Sequence, residues 1–168
     1  MKRLLRPTVL GLAAAAITSC ATTNLVQVWR DPRYRPAPIK RVFVVAVIPY
    51  AQDRLFFENA IAQSLTKKGF EVATSSGVVP PDPSDNGVIV AYVKEMDVDL
   101  VVVVRLVTPY GAWYGMADIN VYAAKTNSER PVWSGTSTTH NFSTGAEAAE
   151  SLAASLLYGL INANILVR

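Results

Sequence analysis

Cysteine is almost missing from this chain: Cys20 is the only one in 168 residues. No intramolecular disulfide can form, and no thiolate set exists to hold zinc or an iron–sulfur cluster. Histidine is as scarce, with His140 alone. A catalytic or metal-bound histidine needs companions, so His140, beside Asn141, reads as a surface or capping residue. No apolar run reaches the roughly 20 residues that a membrane-spanning helix requires. Ser134-Gly135 and Ser143 lack the G-x-S-x-G setting of a nucleophile elbow. Gly111 to Gly115 has neither the lysine nor the helix start of a phosphate loop. Asp97 and Asp99 bracket a turn, which asks for no more than turn chemistry. These absences predict a protein that is not an enzyme and has no resident metal or cofactor.

What is present begins at the N-terminus. Lys2, Arg3 and Arg6 give a positive start, Val9 to Ile17 is a short alanine-rich apolar run, and Thr18-Ser19 supplies small residues just before Cys20. That order is the pattern of a secretory signal peptide. Ile17-Thr18-Ser19-Cys20 also resembles the bacterial lipobox. The resemblance implies removal of residues 1–19 and acylation of Cys20, by a diacylglycerol plus an amide-linked chain such as palmitate. Stable anchoring takes more than one lipid chain. Ala21 stands where an inner-membrane retention signal would place aspartate, so the implied destination is the outer membrane, facing the periplasm.

Processing changes the charge balance. Taking 19 residues from 168 leaves 149, the size of one ordinary domain, and taking Lys2, Arg3 and Arg6 from 16 basic residues leaves 13 against 13 acidic. A formally neutral chain has no general basic excess for nucleic acid, so no nucleic-acid partner is expected. The division is 1–19 signal peptide, 20–38 lipidated cysteine, tether and proline-rich arm, and 39–168 a single α/β domain.

Ala21 to Leu25 reads as a polar tether and Val26 to Trp29 as a brief strand or extended arm. Pro32, Pro36 and Pro38 then keep the chain extended. Val42 to Ile48 is β-branched without alternation, as in a central strand buried on both faces. Asp53 is placed to cap a helix in which Phe57, Ala60, Ile61, Ser64 and Leu65 make the inward face, with Gly69 as its stop. Phe70 to Ala73 predicts a short strand and Gly77 to Asn86 a loop. A helix follows through Val88, Tyr92 and Met96, its cap at Ser84 or Asp85. Leu100 to Val107 predicts a strand beside 42–48. Met116 to Ala124 alternates, with Ala117, Ile119, Val121 and Ala123 inward, and Val132 to Thr139 completes an antiparallel meander. Ala149, Leu152, Ala153, Leu156, Leu157, Leu160 and Ile161 mark a closing helix. The fold class is therefore α/β, an α+β two-layer sandwich. It has a mixed sheet of about five strands, with helices at 53–68, 84–96 and 145–164 packed on one face.

Two features invite a functional reading. Tyr110, Trp113, Tyr114 and Met116 gather between glycines at a hairpin tip, a composition suited to a partner or a membrane interface. Arg105 interrupts an apolar strand, and pairing with Asp118 across the hairpin would satisfy it.

Taken together, the lipobox, Val28-Trp29-Arg30-Asp31-Pro32, Arg41 to Ile48, Phe57-Glu58-Asn59-Ala60, Asp99 to Val103 and Val132-Trp133-Ser134-Gly135 resemble a group of small bacterial lipoproteins of unknown function. Their fold is similar to the N-terminal domain of TolB, to CsgG and to LpoB. The resemblance implies a lipid-anchored, non-enzymatic module that binds an envelope protein and assists envelope assembly. The alternative is a carrier holding a small molecule or lipid between sheet and helices.

Overall fold

The structure, a computed structural model, describes residues 21–78, 86–108, 114–126 and 130–167. Residues 1–19, Cys20, Tyr110, Trp113 and the cap expected at Ser84 or Asp85 lie outside the described residues. The strands are β1 (Thr22–Arg30), β2 (Arg41–Val47), β3 (Glu71–Thr74), β4 (Leu100–Thr108), β5 (Tyr114–Ala123) and β6 (Trp133–His140). The helices are α1 (Ala51–Thr66), α2 (Ser75–Val78, one turn), α3 (Asn86–Glu95) and α4 (Gly145–Asn162). They build one mixed sheet in the order β1-β6-β5-β4-β2-β3. The β2 strand runs parallel to β3 and β4, and the pairs β4–β5, β5–β6 and β6–β1 are antiparallel.

Six strands replace the expected five because the presumed tether is itself a strand. Thr22 pairs with His140 and Thr23 with Thr139, so β1 joins the sheet one residue after Ala21. The arm read over 20–38 thus divides into an integral strand and a proline-rich crossing. Alternate side chains explain the incorporation: Leu25 packs into the main core, while Thr23 Oγ1 lies 2.8 Å from Thr139 Oγ1. Helix α4 locks the same strand. Ser151 Oγ donates to Ala21 O at 3.1 Å and Ser155 Oγ to Thr23 O at 2.9 Å. Four helical residues advance about 6 Å and two strand residues about 6.6 Å, so the two elements stay in step.

Helices α1 and α4 cover one face. Phe57, Ile61 and Leu65 of α1 and Leu152, Leu156 and Leu160 of α4 meet Val42, Val44, Leu100, Val102, Ile119 and Trp133, and all are nearly inaccessible. Helix α3 does not share that face. Tyr92 and Val93 pack with Phe43, Val45 and Val101 on the opposite side, the Tyr92 and Phe43 rings 4.9 Å apart. Handedness explains the difference. From β2 the chain moves outward to β3, but from β3 it crosses back over β2 to reach β4. Two right-handed crossovers in opposite directions must lie on opposite faces.

Helix ends also depart from expectation in one place. Asp53 lies in the first turn of α1, but the N-cap is Tyr50, with no side-chain cap. Gly69 adopts φ 88°, the left-handed conformation that ends the helix at little steric cost. Thr144 caps α4 by accepting from Glu147 N at 3.2 Å, and Glu147 Oε2 in return accepts from Ser143 N at 2.7 Å.

Candidate interaction surface

Because α3 covers only the β2–β4 side, the outer face of β5, β6 and β1 carries no helix among the described residues. That face is mostly polar: Asp118, Asn120, Ser134, Thr136 and Gln27 line a shallow hollow of about 300 Å³. Its free margin is apolar. On β1, Val26 is 40% exposed, Val28 50% and Trp29 45%. The register slips between Val26 and Trp29, and Gln27 takes φ 52° at the slip. Such a bulge blunts an edge strand and re-aims its side chains, here bringing Val28 and Trp29 to solvent together.

The opposite end of the sheet from Ala21 holds a polar clamp. Asp99 Oδ2 accepts from Lys40 N at 2.7 Å and Arg41 N at 2.9 Å, tying the start of β2 to the start of β4. Its other oxygen lies 2.7 Å from Lys125 Nζ, which also reaches Asp97 at 3.1 Å, so the end of β5 is included. Arg41 pairs with Glu71 at 2.9 Å and donates to Met96 O. Around this clamp lies an open depression of about 240 Å³ lined by Pro38, Lys40, Arg41, Asp97, Asp99 and Lys125. Burial opposes ionisation of Asp99, but the bonds from Lys125, Arg41 and Lys40 outweigh it and hold the carboxyl below its ordinary 3.8. A depressed pKa stabilises the fold above the ordinary value and loses that stabilisation as pH falls through the folded value. Thermal melting between pH 6 and pH 2.5 should therefore fall less steeply for Asp99→Asn than for the parent. Parallel curves would show that the clamp is not ionic.

A second polar centre is fully buried. Glu58, on α1, is 0% exposed. Its Oε1 accepts from Ala46 N at 2.9 Å and from Ser75 Oγ, and its Oε2 accepts from Ser76 N at 2.8 Å. One carboxylate thereby joins β2 to the turn after β3. Arg54, one turn earlier on α1, is also buried, with Nε unpartnered. The spacing 54, 58, 61, 65 is itself a helical stripe, and that was the available signal; a charged residue on a helix reads by default as solvent-facing.

The residues singled out from the sequence are dispersed. His140 ends β6, opposite Thr22 on one side and Tyr114 on the other. Tyr114 and Met116 are not in a hairpin tip but in β5, where Met116 pairs with Thr138 and Thr108 and is half-buried. Arg105 does stand opposite Asp118, and the Asp118 carboxylate accepts from Thr136 Oγ1 at 2.8 Å. Among the described residues no group of three or more His, Cys, Asp or Glu is placed to hold a metal ion. No described helix is long and apolar enough to cross a membrane, which leaves strand-crossing unaddressed.

No family model and no curated protein matches the chain. Solved structures do. PelC from Paraburkholderia phytofirmans, described as a dodecamer, superimposes with a TM-score of 0.55 at 16% identity over 83% of this chain and 96% of that one. The lipoprotein GNA1162 from Neisseria meningitidis gives 0.49 at 14% identity over 73% and 94%. TolB from Acinetobacter baumannii gives 0.44 at 11% identity, over 84% of this chain and 31% of its own. At these identities the likeness is one of fold, and the PelC comparison carries it: this chain has the mixed α/β fold seen in PelC.

Proposed function

We propose that the chain is a lipid-anchored envelope accessory protein that acts by binding a partner, without catalysis. It is held at the outer membrane through Cys20, on the periplasmic side. The observation that carries this reading is the exposed apolar margin of β1, Val26, Val28 and Trp29, on an edge strand that begins two residues after Cys20. An edge strand offers unpaired backbone groups for strand addition, and exposed valine and tryptophan add desolvation. Val28 and Trp29 lie about 20–25 Å along the strand from Ala21, so an anchor at Cys20 would hold a partner docked there at about that distance from the lipid. The pairing of Tyr114 with His140 and of His140 with Thr22 puts the start of β5 at the same end of the sheet as the start of β1. Contact of Tyr110, Trp113, Tyr114 and Met116 with bilayer or partner belongs to the same reading.

The carrier alternative is disfavoured by the layer it needs. Between the sheet and α1 and α4 the space is filled by Phe57, Leu152, Leu156 and Trp133, each 0–1% exposed. Self-association at β1 is the nearer competitor, because PelC is described as a dodecamer.

A photo-crosslinking residue at Val28 tests the reading in cells, alongside Cys20→Ala. The expected results are a crosslink to another envelope protein, and transfer of most of the chain from the membrane to the soluble fraction on loss of Cys20. A ladder of this chain alone would favour self-assembly. No adduct from a membrane-bound chain would refute the docking role of β1.

A further inference from the structure

The carboxyl ends of β2 and β3 form a switch point. From β2 the chain leaves to α1 on one face of the sheet, and from neighbouring β3 it leaves through α2 towards α3 on the other. In open α/β sheets ligands are held in the crevice outside such strand ends. Arg54, four residues into α1, lies beside this crevice. It is 7% exposed, and its Nε is buried with no hydrogen-bond partner. Its guanidinium enters none of the ion pairs among the described residues. Glu58, one turn further on, directs its carboxylate to Ala46, Ser75 and Ser76 instead. Asp53 turns towards α4, where a Cβ built on Gly145 would lie 3.3 Å from its Oδ1. A buried cation without an acceptor is costly, and an anion is the partner that relieves it.

We infer that the start of α1, together with Arg54, binds a phosphate group. A helical side chain leans towards the N-terminus of its helix, so Arg54 reaches back beneath the opening turn of α1. That turn has Tyr50 as N-cap and no side-chain cap, and the amides of Ala51, Gln52 and Asp53 have no carbonyl of their own helix to bind. Pro49, Tyr50, Ala51 and Gln52 are exposed, so the turn faces solvent. Phosphate oxygens suit both groups. The amides are directed donors at the positive end of the helix dipole, and the guanidinium offers a planar fork. Helix α4 meets Ala21 through Ser151, so its first residue, Gly145, stands about 9 Å beyond that point. Asp53 lies against Gly145, which sets the opening turn of α1 at the end of the fold where β1 begins. Two sources share the chemistry, a phospholipid headgroup and a free phosphate ester. The headgroup source rests on the proposed Cys20 anchor; the site itself does not.

Thermal melting of the full chain, extracted from membranes in non-ionic detergent, tests the site with inorganic phosphate against sodium chloride of equal ionic strength. At a tenfold excess over its dissociation constant, phosphate should raise the melting temperature by about 3–6 °C along a saturating curve. In Arg54→Met, an apolar chain of similar length, the saturating gain should vanish. In Arg54→Lys, which keeps the charge without the fork, half-saturation should need at least fivefold more phosphate. Arg105→Gln removes an exposed arginine of β4 and should shift half-saturation less than twofold. Phosphate also stabilises proteins by exclusion from their surface, but that gain does not saturate and is common to all four proteins. An equal gain in parent and Arg54→Met, or an equal loss in Arg105→Gln, overturns the assignment. If Arg54→Met does not fold, an unchanged half-saturation in Arg54→Lys overturns it alone. Detergent micelles doped with phosphatidylglycerol or with diacylglycerol separate the sources. A gain with phosphatidylglycerol alone, at lower concentration than glycerol 3-phosphate requires, supports the headgroup, and equal effects of the two lipids refute it. Intact mass separates the premises: a phosphate response without an acyl mass leaves the site standing while the anchor fails. An acyl mass without a phosphate response leaves the anchor standing and refutes the site.

Discussion

Replacing Glu58 by alanine should cost the fold about 3–5 kcal/mol, because it strands several buried donors at once and opens a cavity. The carboxylate receives the amides of Ala46 and Ser76 and the hydroxyl of Ser75, and none of the three is replaced when it goes. Each buried donor left unsatisfied costs about 1–3 kcal/mol, and the truncation adds a cavity beside Phe57 and Ile61. For a domain near 150 residues that range is a fall in melting temperature of about 6–20 °C. Glu58→Gln should fall between parent and alanine variant. Its amide oxygen can still serve Ala46 and Ser75, but its NH₂ then confronts the Ser76 N–H. Urea denaturation of the three proteins at pH 7 measures the series. A loss below about 1 kcal/mol for Glu58→Ala would mean that water replaces the carboxylate, and that it is not the pin between β2 and α2.

The second large effect is expected at Gly135. A Cβ built there would meet Trp133 Cη2 at 2.9 Å, with Cζ2 at 3.4 Å and Cζ3 at 3.5 Å. Trp133 is fully buried, so its ring has little room to retreat. It also borders Gly159 of α4, where an added Cβ would lie 3.5 Å from Cζ2 and 2.7 Å from Leu25 Cδ1. The indole therefore rests between a glycine on its own strand and one on the helix beneath. Gly135→Val should cost about 1–3 kcal/mol through overpacking. Gly159→Ala is the milder change, because a helical alanine gains about 1 kcal/mol over glycine and the crowded atom is the end of a flexible leucine. In a double-mutant cycle, Trp133→Leu should absorb much of the Gly135→Val penalty. Additive losses would show that the ring and the glycine do not communicate.

Part of this architecture is legible in order along the chain. The run from Val42 to Ile48 and the run from Leu100 to Val104 are apolar on both faces, the pattern of interior strands. The alternation of Ala117, Ile119, Val121 and Ala123 assigned one wet and one dry face, and the leucine stripe from 152 to 160 placed α4. Periodicity reports which side of an element is apolar, and that depends only on residues near in sequence. The same locality misled at the start of the chain. Thr22, Thr23 and Asn24 look like a polar tether because their partners, His140, Thr139 and Thr138, are more than a hundred residues away.

The amino-acid sequence by itself determined the composition of the core, the two apolar strands at its centre and the inward face of α4. Tertiary structure alone decided that Glu58 and Arg54 are buried, that α3 lies opposite α1, and that β1 is an edge with an apolar margin. The reason is physical. Burial pattern and net charge are sums or periods over neighbouring residues. A hydrogen-bond partner, a free edge and a field are relations between segments that only the crossovers and the sheet order bring together.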